Sequence, residues 1–169
     1  MNAANDILRL IGTELPEVEP VVRHGNKPLF HSFETEAELV GGIKGTLEII
    51  DNTGYNTIAV IGKSEKECNN LYKLLNYKVN RPIQHLKENE EIKKGHLVIV
   101  PSYLSKGLEF DVVILISLNE TYTMDEIDIK LLYVAMTRPM HQLYLFGTNK
   151  KNLLLDKLDK DCIEIGENG

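Results

Sequence analysis

The stretch Lys106-Gly107-Leu108-Glu109-Phe110-Asp111, followed by the apolar run Val112–Ile116, decides how this chain reads. The aliphatic run is too short to span a membrane and does not alternate with polar residues. It predicts a strand buried on both faces, as in a parallel sheet. A basic residue, a glycine and two carboxylates stand just ahead of it. Polar residues gathered at the mouth of such a strand are where α/β proteins place ligand chemistry. A second polar cluster, Tyr133-Val134-Ala135-Met136-Thr137-Arg138, closes the helix predicted next.

Outward from this centre the chain alternates strands and capped helices. Pro28–Phe33, Thr57–Ile61, Leu97–Val100 and Gln142–Phe146 read as strands, with Arg81–Leu86 a further candidate. Thr35-Glu36-Ala37-Glu38, Ser64-Glu65-Lys66-Glu67 and Thr123-Met124-Asp125-Glu126 are capping-box patterns, in which a hydroxyl and a carboxylate satisfy exposed helix-start amides. The helices they open carry Leu39, Ile43, Leu47 and Ile50; then Cys68, Leu71, Tyr72 and Leu75; then Ile127, Leu131, Val134 and Ala135. Pro139 ends the third, because the residue before a proline is pushed out of helical geometry. Gly41, Gly42 and Gly45 each weaken the first by up to about 1 kcal/mol, which close packing of the glycine face would offset. Asn2–Ile11 reads as a short helix with Ile7, Leu8 and Ile11 on one side, Pro16 to Pro28 as an irregular connector, and Lys150–Lys160 as a charged helix. The expected architecture is a three-layer α/β domain with a mostly parallel sheet over residues 28–169, preceded by a helix and connector over 1–27.

Bulk properties narrow the function. A chain of 169 residues suits one domain, able to bury about 70% of the surface its unfolded form exposes. No signal-peptide pattern and no run of apolar residues long enough for a span is present, so a cytoplasmic protein without a membrane partner is expected. Cys68 and Cys162 share no metal spacing and read as reduced thiols. The net charge of −6 argues against strong autonomous nucleic-acid binding, so a positive surface must be local or supplied by another domain. His24, His31, His85, His96 and His141 share no face or acidic ligand set, and no metal site is expected. Gly62-Lys63-Ser64 resembles the end of a phosphate-binding loop, but Thr57 stands where that motif needs its first glycine, and strand residues replace the cradle. The domain is expected to lack its own P-loop.

The chemistry of the two polar stretches has both a bland and a specific form. Gly107 allows a tight turn that brings backbone amides close to a ligand. Lys106 offers a positive point charge and Glu109 an acceptor suited to a sugar hydroxyl, while Asp111 can simply satisfy loop amides. A polar turn ahead of a strand needs none of this. Arg138 at a helix end can answer the helix dipole alone, or reach past the domain edge to hold a phosphate.

Taken together, Pro101–Ile116 and Leu131–Phe146 resemble motifs V and VI of the UvrD/Rep-like superfamily-one helicases, whose pattern there is KGLEFD followed by YVAxTR. Arg138 follows Lys106 by 32 positions, a spacing typical of that family. The wording Ile99–Lys106 looks closest to the HelD-like branch, associated with RNA polymerase. The resemblance implies a RecA-like (P-loop NTPase-like) second motor lobe, domain 2A, with motif V at 101–111 and motif VI at 131–139. In such motors ATP with Mg2+ lies against an N-terminal RecA-like lobe, which supplies the phosphate cradle and metal ligands. Matching positions imply that Arg138 is the arginine finger, that Glu109 contacts the ribose, and that Lys106 and Gly107 line the loop beside it. Thr137 would hold the helix end, and Tyr103 would stand where UvrD-like members place a DNA-facing histidine, either stacking on a base or packing. The motif IV tyrosine-arginine pair and the 2B insertion have no counterpart here, so the resemblance implies one lobe of a larger motor. Single-stranded or duplex DNA, and RNA polymerase, would be its partners, and the chain alone would not hydrolyse ATP. A nucleotide-independent docking module, for RNA polymerase or another protein, is the alternative from a different class.

Overall fold

Consecutive aliphatic residues in a strand point alternately to opposite faces, so a run of them demands cover on both sides. A computed structural model describes residues 3–9, 26–148 and 164–166. It contains β1 (Leu29–Phe33), β2 (Ile58–Gly62), β3 (Ile83–His85), β4 (Leu97–Pro101), β5 (Phe110–Ser117), β6 (Pro139–Thr148) and β7 (Glu164–Ile165). These form one seven-stranded sheet in the order β3-β4-β2-β5-β6-β1-β7, and every pairing is parallel. The expected α/β fold is present.

Two apolar layers sandwich the sheet. On one face Ala59, Ile61, Val98, Val100, Val113 and Leu115 meet Ala3, Ala4 and Ile7 of α1 (Ala3–Arg9) and Ile129, Leu132 and Ala135 of α4 (Glu126–Met136). On the other, Ile58, Val60, Ile99, Val112, Ile114 and Phe146 meet Leu39, Ile43, Leu47 and Ile50 of α2 (Glu36–Asp51) and Cys68, Leu71 and Leu75 of α3 (Glu65–Leu75). The central strands β2, β4 and β5 contribute to both layers, and each buried Val, Ile or Leu side chain contributes roughly 1.5–3 kcal/mol. Leu8's side chain, Ile11, the connector up to residue 25, the Lys150–Lys160 helix and Cys162 lie outside what the structure describes.

The hydroxyl half of the capping pattern holds at Thr35 and Ser64. The Glu67 carboxylate, however, binds the Leu118 and Asn119 amides in place of the helix start, and the third pattern shifts. Thr35 accepts from the Glu38 amide at 3.2 Å, and the Glu38 carboxylate takes the Glu34 amide at 2.9 Å. Ser64 accepts from the Glu67 amide at 3.2 Å. The start of α4 is not the expected Thr123–Glu126 box, because Asp125 is its N-cap residue and makes no side-chain cap bond. Instead Asp128 reaches back to the Thr123 amide and hydroxyl, both at 2.8 Å. Only one glycine of α2 is explained by packing. A Cβ on Gly42 would lie 2.3 Å from the Phe33 ring, whereas Gly41 and Gly45 face open space.

Cys68 is free and fully buried beneath α3. Burial pushes its thiol up to about 12, so the reactive thiolate is suppressed at neutral pH. Thiol labelling of the native protein should leave Cys68 unmodified until denaturant is added. Rapid native-state modification, mapped by mass spectrometry, would contradict the packing described.

Candidate functional site

Because all strands run the same way, the sheet has one amino edge and one carboxyl edge. The sequence stretch 106–111 leads into the start of β5, and Arg138 immediately precedes β6. Both polar clusters therefore lie at the amino ends of two adjacent strands, not at the carboxyl ends where open α/β sheets usually hold ligands. The reason is the connection from β4: it leaves the carboxyl edge as a 3-10 helix, Ser102–Ser105, and must return to the amino edge before β5 can begin parallel.

At that edge the structure brings the two stretches into contact. Gly107 adopts φ +84, a left-handed conformation suited to glycine, and turns the chain toward β5. The Phe110 amide donates to the Arg138 carbonyl at 3.1 Å. Arg138 Nε donates to the Val134 carbonyl at 2.9 Å, one terminal nitrogen to the Leu108 carbonyl at 3.3 Å, and the other to the Thr137 hydroxyl at 3.0 Å. Thr137 in turn donates to Val134 O at 2.9 Å. The guanidinium thus closes the end of α4 and ties it to the 106–111 loop. Burial draws Arg138 below its ordinary value, and the neighbouring charge of Glu109 opposes that shift. Lys106 and Glu109 are exposed, and neither takes part in a hydrogen bond or ion pair among the described residues.

Asp111 does what the bland reading asked of it. Its Oδ2 accepts the Asn56 and Thr57 amides at 2.8 and 2.9 Å, and its own amide donates to the Thr57 hydroxyl at 2.8 Å. Burial raises its carboxyl, but these bonds and His141 outweigh burial and leave it below its ordinary value. Beside it His141 Nε2 lies 3.7 Å from Asp111 Oδ1, and the His141 and Tyr55 rings stack with centroids 4.9 Å apart. Nothing in the sequence marks Tyr55 and His141 as neighbours, because only the β2-β5-β6 order brings them together.

The carboxyl edge is filled by the protein itself. Lys63 Nζ donates to Asp128 at 2.7 Å and to the Thr121 carbonyl at 2.9 Å. Ser64 donates to Glu120 at 2.6 Å, and Ser102 bonds Tyr122 at 2.7 Å and Gly62 O at 3.1 Å. The wholly buried Glu67 carboxylate accepts the Leu118 and Asn119 amides at 2.5 and 2.9 Å, and the Glu120 amide at 3.4 Å. The Gly62-Lys63-Ser64 run therefore holds internal partners, and β2 occupies the place of a phosphate-cradling loop. Tyr103 stands in the 3-10 helix that follows β4, 52% exposed. No group of metal-ligating side chains is found among the described residues, and none of their helices is long and apolar enough to cross a membrane.

Residues 96–146, which hold β4, β5, α4 and most of β6, match the family model of the UvrD-like helicase C-terminal domain. The crystal structure of the C-terminal domain of a possible DNA helicase from Lactobacillus plantarum WCFS1 is similar over 98% of this chain and 96% of its own, at 27% identity and a TM-score of 0.75. More distant likenesses are to the PRRSV helicase, at 10% identity and TM-score 0.46, and the large terminase of bacteriophage D6E, at 11% and 0.49. The chain covers 87% and 95% of its own length in these matches but spans only 30% and 44% of those proteins. No curated protein matches it in sequence. By the match over 96–146 and the likeness along nearly its whole length, the chain is similar to the C-terminal domain of a UvrD-like helicase.

Proposed function

We propose that the chain is the nucleotide-closing motor lobe of an ATP-dependent DNA helicase or translocase. The supporting observation is the joining of Arg138, Glu109 and the Gly107 turn at one edge of the sheet. ATP with Mg2+ would be held mainly by a P-loop lobe, and this chain's part fits one side of that group. The chain's own GKS run is occupied by Asp128 and Glu120, so it offers no second cradle. Arg138 would meet the terminal phosphate, Glu109 the ribose, and Lys106 with Gly107 the phosphate side of the loop, with Thr137 fixing the arginine's helix end. A planar, permanently charged guanidinium suits the oxygens of a transferring phosphoryl group. The bound triphosphate would supply the leaving group, and these residues would position it and stabilise its charge.

The lobe alone should not turn over ATP, whereas joined to its P-loop lobe it should support magnesium-dependent turnover. An inactive two-lobe protein that binds ATP normally would contradict the proposal. A docking module free of nucleotide has no need of the exposed Glu109 at this edge, whereas Arg138 would close the end of α4 in either case. The Ile99–Lys106 wording supports the HelD-like branch, and with it RNA polymerase as a partner of the assembled motor.

Tyr103 is the proposed base-stacking residue. Its half-exposed ring predicts that Tyr103→Ala lowers single-stranded DNA affinity by about 1–3 kcal/mol, with little change in melting temperature. An unchanged DNA affinity together with a lower melting temperature would make it a packing residue.

A further inference from the structure

We infer that the loop between α3 and β3, which carries Tyr77, forms with the turn before β4 a contact surface for single-stranded nucleic acid. This surface lies outside the residues assigned to ATP and needs no hydrolysis to act. Tyr77 is 96% exposed and adopts φ +63, a left-handed conformation that side chains of its size rarely take. The backbone around it is fixed all the same. The Asn76 amide donates to the Tyr72 carbonyl and the Lys78 amide to the Leu75 carbonyl, both at 2.9 Å. Val79 packs into the α2/α3 core, and Arg81 pairs with Asp51 at the end of α2. A ring held out by an anchored loop offers its flat face before the ligand arrives, so little freedom is lost on binding.

Charge gathers around that ring. Residues 68–87 contain no Asp or Glu but hold Lys73, Lys78, Arg81 and Lys87, in a chain of net charge −6. Arg81 and Lys87 are answered by Asp51 and Glu65. Lys73 and Lys78 are exposed, and neither ammonium group has a partner among the described residues. The Leu97 amide donates to the Pro82 carbonyl at 2.8 Å, and the Gln84 side chain takes the Lys93 amide at 2.8 Å and bonds the Glu91 carbonyl at 2.9 Å. Segment 91–97 is thereby laid along β3. It brings Lys93 and Lys94, exposed and equally unpaired, beside the chain that enters that strand. Glu88 and Glu90 follow the far end of β3, which leaves Glu91 as the carboxylate next to these lysines.

Lysines spread over two neighbouring segments meet a run of phosphates as point charges, and a lone ring takes the face of a base. A peptide partner would need apolar anchors, but Tyr77 is the one large apolar side chain exposed in these segments. A duplex hides its base faces, so a single strand is the fit. The surface also supplies the local positive charge that an acidic chain needs for any such contact. Tyr103 follows the carboxyl end of β4, whereas this loop enters the amino end of β3, so the two rings make separate contacts.

The test measures binding of the 169-residue chain to a labelled oligothymidine about 16 nucleotides long, by fluorescence anisotropy at about 50 mM salt. Native protein should bind, with an affinity that falls as salt rises. Tyr77→Ala should weaken binding about 5- to 150-fold and leave binding of inorganic polyphosphate unchanged, and Tyr77→Phe should retain both. Tyr77→Gly suits the left-handed turn, so it should lose the same affinity while the melting temperature holds or rises. Changing Lys78, Lys93 and Lys94 together to Gln should reduce the logarithmic salt slope by about 2. No binding by native protein, equal binding by Tyr77→Ala, or tighter binding of a polyglutamate peptide than of oligothymidine would each overturn the surface. If Tyr103→Ala alone abolishes oligothymidine binding, this surface falls and the motor-lobe reading stands. If Tyr77→Ala loses affinity but the two-lobe protein binds ATP without turnover, the surface stands and the motor-lobe reading falls.

Discussion

Arg138→Ala, in a protein that joins this lobe to a P-loop lobe, is expected to lower ATP turnover roughly 10³-fold or more. The expectation follows from charge spreading over the transferred phosphoryl group, which a forked cation stabilises most in the transition state. The structure adds a second consequence. The guanidinium also bonds Val134 O, Leu108 O and the Thr137 hydroxyl, so its loss should weaken the fold by about 1–3 kcal/mol. Arg138→Lys separates the two effects. An ammonium can still meet one carbonyl at the end of α4 and recover part of the stability, but it cannot reproduce the planar two-pronged contact. Turnover should remain close to that of alanine while the melting temperature rises toward native. If instead turnover follows stability across both variants, Arg138 serves only the helix end.

Glu67→Ala should have the largest effect on stability, roughly 3–5 kcal/mol, since it leaves the buried Leu118 amide and the part-buried Asn119 and Glu120 amides beyond β5 without their acceptor. In a domain of this size that is a fall of roughly 6–20 °C in melting temperature. Glu67→Gln keeps one acceptor oxygen and should lose less. Its pH dependence has a defined sign. Burial raises the Glu67 carboxyl, and the Leu118–Glu120 amides only partly counter it. A group with a raised folded value contributes stability below its unfolded value and loses that contribution as pH rises through the folded one. The deficit of Glu67→Gln against native should therefore shrink as pH rises through that window. Urea unfolding of both proteins across the acid range measures it. Asp128 has the opposite sign: burial raises it, but Lys63 and Thr123 outweigh burial and hold it below its ordinary value. Its contribution is present above the unfolded value and is lost as pH falls through the folded one.

Much of the fold could be read from local chemistry, because Val112–Ile116 has no polar alternation and can only be central. β5 proved longer, from Phe110 to Ser117, and β6 begins directly at Pro139, which needs no amide partner as the first residue of a strand. The start of α4 was misread because Thr123 and Glu126 fit the box by type, while Asp128 stands close enough to bond both Thr123 groups. β7 was not foreseen. It adds only two described residues to β1, too few for any pattern to appear.

The candidate site was legible in part for the same reason. Gly107 and Arg138 sit where short-range chemistry has a purpose for them, a left-handed turn and a helix end. What joins them is the pairing of β5 with β6, which carries no local signal. Tyr55, His141 and the Glu67 anchor depend on contacts between residues far apart in sequence, and the edge on which the site lies depends on strand direction. Neither is written in residue spacing.

The most direct measurement places the two-lobe protein with ADP, magnesium and aluminium fluoride, a mimic of the phosphoryl group in transfer, and follows the Arg138 guanidinium by side-chain NMR. The motor-lobe account predicts that the Arg138 signals shift strongly and slow their exchange with water as new charged hydrogen bonds form, and that Arg138→Lys binds the mimic far more weakly. Arg138 signals identical with and without the tightly bound mimic would contradict it.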